Sequence, residues 1–159
     1  MTKENLNSKL FDTAVMAFQE MCLMFPDQEL TDEQKAAKLD VGVAVEFEGS
    51  SSGKLLLRVS SSILPEMAAN MLGADESPPV EQQYDAAKEI ANIICGNIVP
   101  AVCGPEGLYN LRAPKLVDAG DGAEIPGEPA ARAVVGMEDG RAEVLLYIYG
   151  EATGEGTTP

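Results

Sequence analysis

Four residues, Asp85, Glu89, Asn92 and Gly96, carry the chain's clearest signal for chemistry. They are spaced four, three and four apart, so on a helix turning about 100° per residue they share one face, consecutive members one turn apart. The opposite face collects Ala87, Ile90, Ile93, Ile94, Ile98 and Ala101, as a core-packed helix requires. A carboxylate and a carboxamide would therefore stand side by side in solvent, able to pair with charged and polar groups of another molecule. Asn and Gly each cost about 0.5–1 kcal/mol against Ala inside a helix, yet both lie on this exposed face. Gly96 would also let a second surface approach closely. Exposed Glu followed by Asn is common, however, and periodicity alone stops at a polar site of unknown purpose.

The composition removes most alternatives. The chain contains no histidine, so Ser-His-Asp and Cys-His nucleophiles, zinc-protease helices and imidazole acid/base catalysis are excluded. Cys22, Cys95 and Cys103 form no metal-like pair, and their apolar helical surroundings fit buried, reduced thiols. Gly49 to Lys54 imitates a phosphate loop, but the spacing is one residue short and Leu55 stands where a magnesium-binding Ser or Thr belongs. A net charge of −15 makes nucleic acid and anionic membranes poor partners. No uninterrupted apolar run reaches about 18 residues, so no membrane span is expected. Met1 to Asn5 lacks the basic flank and apolar stretch of a secretion signal, so a cytoplasmic location is expected.

The elements that must position the site follow from pattern. Leu10, Ala14, Ala17, Phe18, Met21 and Phe25 form a helical stripe over 6–25, closed by Pro26. Residues 27–37 read as a polar connector. Strict alternation over 39–48, a Gly49–Gly53 turn and renewed alternation to residue 60 give a hairpin. A short helix spans 62–72, with Gly73 as its stop. After a charged linker, Ser77 and Pro78 look like the cap and first residue of a long helix reaching Val102. Residues 108–119 read as a strand that Pro114 confines to an edge or breaks, and 120–129 as a loop. Strands over 130–138 and 141–149 meet at Asp139-Gly140. The expected fold is α+β in two layers: a mostly antiparallel sheet of about five or six strands built from hairpins, with two long helices and one short one mainly on one face. One domain over 1–150 and a disordered tail over 151–159 complete the reading.

The run Asp85-Ala-Ala-Lys-Glu89-Ile-Ala-Asn92, continued as Ile-Ile-Cys-Gly96-Asn97, resembles the signature helix of the CheC/CheX family of bacterial chemotaxis phosphatases. That signature has an Asp or Ser, a Glu four residues later, an Asn three beyond that, and a proline further on. Pro114 stands 22 positions after Asn92, about one short of the usual interval. The flanks agree as well: the opening helix, the glycine-turn hairpin leading into Ala68 to Gly73, and Pro114 to Val117 with Gly120. A single signature helix points to the single-site CheX-like branch.

The resemblance implies hydrolysis of the aspartyl phosphate of a CheY-like receiver domain. Asn92 would position the attacking water, Glu89 would pair with the receiver's lysine, and Asp85 and Gly96 would contact the partner. It implies no cofactor of the chain's own, with Mg²⁺ held in the partner's active site, and an enzyme that is a homodimer. Association would use the outer face of the last strand, where Leu145, Tyr147 and Tyr149 lie beside Arg141 and Glu143. The alternative is a non-catalytic module, related to flagellar-switch proteins of the same fold, that only docks a receiver or signalling protein.

Overall fold

The computed structural model describes residues 2–27, 29–118 and 127–151. Helix α1 (Lys3–Cys22) opens with the Thr2 hydroxyl accepting from the Asn5 amide and closes at Leu23, whose φ is 53°. Its buried stripe is Leu10, Ala14, Ala17, Phe18 and Cys22. Met21 and Phe25, expected in that stripe, are exposed. Steps of four from Leu10 through Ala14 and Phe18 lead to Cys22, and Phe25 lies beyond the helix end.

The supposed connector contains a fourth helix, α2 (Asp32–Ala36). Its Thr31 hydroxyl accepts from the Gln34 amide while the Gln34 side chain accepts from the Thr31 amide, a reciprocal cap. The buried Gln34 also donates to the Glu138 carbonyl, tying α2 to the far hairpin.

Among the described residues the sheet is six-stranded and every strand pair is antiparallel. Strands β1 (Val41–Gly49) and β2 (Ser51–Val59) form the first hairpin. The residues of its expected broad turn, Ser51 and Ser52, instead pair with Glu151 and Gly150 across the sheet. Two short strands, β3 (Tyr109–Leu111) and β4 (Lys115–Val117), both pair with β1, with Pro114 in the gap that splits them. Strands β5 (Ala131–Met137) and β6 (Gly140–Glu151) make the second hairpin. The order is β3-β1-β2-β6-β5, with β4 on the same edge of β1 as β3.

The second turn comprises Glu138 and Asp139, one residue earlier than expected, with Glu138 at φ 52°. Gly140 belongs to β6. A Cβ there would lie 2.8 Å from Ser60 Cβ and 2.9 Å from Ile63 Cγ2, so close packing, not turn conformation, requires glycine. The expected loop lies largely outside the described residues, as do residues 152–159 of the expected tail; Glu151 is in β6.

One sheet face carries Val43, Val45, Leu55, Leu57, Val144 and Leu146 into a core shared with the helices. There α3 (Leu64–Leu72) follows a 3₁₀ turn at Ser61–Ile63, and α4 (Val80–Cys103) packs against α1, α3 and the sheet. Gly73, in the left-handed conformation, ends α3 as expected. The start of α4 departs from expectation: Pro79 precedes its first residue, and neither Ser77 nor Pro78 is helical. A residue before proline is pushed toward extended conformations, so Pro79 keeps Pro78 out of the helix. By length and composition α4 could cross a membrane, but its apolar side chains pack against the sheet, α1 and α3.

The opposite sheet face is not open in the manner expected. Leu145 and Tyr147 are buried with Leu56 in a second apolar cluster, so of the three apolar side chains expected to be open in β6 only Tyr149, 62% exposed, is. Glu143 is buried there and held by Arg58 at 2.8 Å and Arg132 at 2.5 Å. Arg141 turns its Nε to the Ala37 carbonyl.

Candidate active site on helix α4

The sequence of α4 sorts its side chains as the periodicity requires. Ala87, Ile90, Ala91, Ile94 and Ile98 are buried, whereas Asp85, Glu89 and Gly96 are exposed. Asn92 is half-buried, at the margin of the exposed ridge rather than on its crest. Ala101, expected on the buried face, is exposed, and Ile93 is only partly covered. The buried set is centred nearer Ala91 and Cys95 than the isoleucines alone suggest.

Among the described residues, the side chains of Glu89 and Asn92 have no hydrogen bond or ion pair. Asp85 makes one long contact, 3.9 Å to the Lys88 ammonium three residues on, of little energetic weight at a surface. A carboxylate and a carboxamide one turn apart are thus available to another molecule.

Two features fix this ridge in place. The Tyr109 hydroxyl donates to the Gly104 carbonyl at 2.8 Å, pinning β3 to the end of α4. The Leu111 side chain then flanks Gly96, where an added Cβ would find only Leu111 Cδ2, at 3.8 Å. Pro100 lies inside the last turns of α4. It has no N–H, so the Gly96 carbonyl loses the hydrogen bond that position 100 would otherwise donate. Bare backbone therefore follows Asn92 on the exposed side.

Beside the ridge runs a groove that the sequence did not reveal, lined by Met21, Met71, Leu72 and Ala86 together with Gln82, Asp85 and Glu89. Asn70 Nδ2 donates to the Cys22 carbonyl at 2.8 Å and holds the ends of α1 and α3 together along it. The failure of Met21 to continue the four-residue core steps was the one available signal.

Nothing else among the described residues competes as a reaction centre. No group of three metal-ligating side chains occurs there. Cys22 and Cys95 are buried, and burial pushes their thiols up to about 12, so neither is a nucleophile at neutral pH.

The sequence profile of chemotaxis phosphatase CheX matches residues 41–148, from the first strand of the first hairpin to the last strand of the second, with α4 between. The chain belongs to the CheX family. Solved CheX structures share its architecture. CheX of Desulfovibrio desulfuricans is 19% identical with a TM-score of 0.66, covering 91% of this chain and 99% of that one. CheX of Vibrio vulnificus is 17% identical with a TM-score of 0.68, covering 93% and 99%. CheX in a CheX–CheY–BeF3–Mg²⁺ complex from Borrelia burgdorferi is 17% identical with a TM-score of 0.57, covering 90% and 97%. No curated protein sequence matches the chain.

Proposed function

We propose that this CheX-family chain hydrolyses the aspartyl phosphate of a CheY-like receiver domain, using Glu89 and Asn92 of α4. The observation that carries the reading is their availability: both lack partners among the described residues and stand one turn apart beside the bare Gly96 turn.

The receiver supplies most of the chemistry. In this reading it holds Mg²⁺ and the phosphoryl group; the Borrelia burgdorferi structure is a complex of CheX with CheY, BeF3 and Mg²⁺, in which BeF3 has the chemistry of a phosphoryl mimic. The incoming protein need contribute little beyond positioning. The water oxygen bonds to phosphorus as the phosphorus–oxygen bond to the receiver's aspartate breaks, releasing inorganic phosphate and the free carboxylate. The Asn92 carboxamide suits the water because it can accept and donate a hydrogen bond without adding negative charge near the phosphoryl group. Glu89 pairs with the receiver's active-site lysine and sets the docking angle, with Asp85 and Gly96 completing the contact. No histidine or nucleophile is needed, and the chain carries no cofactor of its own in this scheme.

The proposed setting is cytoplasmic, with residues 1–150 acting as one domain and two copies forming a homodimer. Exposed Leu116 and Val117 on the edge strand β4 support such pairing. Stopped-flow or phosphate-release assays with a phosphorylated receiver test the activity: faster loss of phosphate with the chain than without it supports the reading, and equal rates refute it. Light scattering tests the dimer against a monomer mass of 16.8 kDa.

A further inference from the structure

We propose that the methionine-lined groove beside Glu89 selects the partner, receiving an apolar side chain flanked by lysine or arginine from the phosphorylated receiver. The inference rests on the proposed function and extends it from the reacting atoms to partner choice.

The groove has a volume of about 450 Å³. Met21 and Leu72, 39% and 58% exposed, line it together with the half-buried Met71. Met21 is also a wall of a second groove of about 460 Å³ between α1 and α4, where Met16 is 57% exposed. Clustered apolar groups of this kind mark an interaction surface. Methionine suits it, because an unbranched, polarizable thioether adapts to the group it meets.

The rim identifies the occupant. Asp85 and Glu89 line the first groove and Asp12 and Glu20 the second, while no lysine or arginine lines either. A second copy of this chain, with net charge −15, is repelled there. A basic, apolar segment is attracted. Continuity fixes whose segment it is: Glu89 belongs both to the groove and to the reacting pair, so whatever engages Glu89 lies across the groove. Glu89 and Asn92 recognise what all phosphorylated receivers share. The groove reads what differs between them.

The test is steady-state phosphatase kinetics on a panel of CheY-type receivers, each loaded with a small-molecule phosphodonor and Mg²⁺. Met21→Lys places a cation on the groove wall and removes an apolar contact, at an exposed position where lysine is a good helix former. KM for the best receiver should rise about tenfold, the equivalent of about 1.4 kcal/mol, with kcat within about twofold of wild type. Met21→Leu should restore KM. Thermal melts establish that both variants are folded. Unchanged KM in Met21→Lys, with wild-type protein active, overturns the groove alone. Wild-type protein inactive on every receiver overturns the phosphatase reading and this inference with it.

Discussion

Gly96→Ala should make the protein more stable and less active. Gly96 lies inside α4 with its Cα facing solvent, and an added Cβ would meet only Leu111 Cδ2, at the ordinary contact distance of 3.8 Å. The φ of Gly96 is not positive, so no backbone strain offsets the gain. Helix propensity then favours Ala by about 0.5–1 kcal/mol, partly through the lost freedom of the unfolded chain. For a domain of this size, about 1 kcal/mol raises Tm by about 2–4 °C. The new methyl stands one turn beyond Asn92, about 6 Å along the axis, on the surface proposed to meet the receiver. A displacement of about 1 Å between reacting groups can cost about 100-fold in rate, so kcat/KM should fall by about 10- to 100-fold. Calorimetry and single-turnover dephosphorylation read the two effects separately. A higher Tm with wild-type kcat/KM would refute the close approach at this turn. A lower Tm would refute the argument that the position has room.

Asn92→Ala should keep its fold and lose about 10²–10³ in kcat, the usual cost of one positioned polar group; wild-type turnover in the folded variant would remove Asn92 from the mechanism. Glu89→Ala should weaken binding of a beryllofluoride-activated receiver at low salt, with the difference from wild type shrinking as salt screens the pair; titration calorimetry at two ionic strengths measures both. Gly140→Ala should destabilise by about 1–3 kcal/mol through overpacking against Ser60 and Ile63, read by urea unfolding. At pH 8 a thiol reagent should leave Cys22 and Cys95 unmodified in the folded protein, because burial holds both near 12, well above the assay pH; rapid labelling of either would contradict that burial.

What the sequence conveyed depended on how local the cause was. Alternation in β1, β2 and β6 needs only a sheet with one buried face, and it placed Val43, Leu55 and Leu146 in the core correctly. The α4 pattern placed Glu89 and Gly96 on the outside for the same reason. Helix α2 was missed although its Thr31–Gln34 cap was legible, because five residues are too few for a helical period. Glu143 illustrates the opposite limit. Alternation put it on the outer face, but its burial depends on Arg58 and Arg132 arriving from β2 and β5. The groove is likewise a property of three helices together, so no periodicity within α1 or α3 could reveal it.

The place of β6 in the sheet carries a consequence for synthesis. Strand β6 follows the other described strands in sequence yet lies inside the sheet, joined to β2 through pairs as distant in sequence as Ser51 and Glu151. Closing so long a loop is slow, because its entropy is lost before the contacts form. While the chain emerges, the β1–β2 hairpin and the apolar side of α4 wait without β5 and β6, two of the six described strands. A nascent chain stalled near Glu138 should leave the backbone edge of β2 unpaired along Leu55 and Leu57 and bind a chaperone that recognises open strands. Release of that chaperone should coincide with pairing of β6, Gly140–Glu151, against β2, so the helix layer that carries the proposed site gains its full support only when this inner strand is in place.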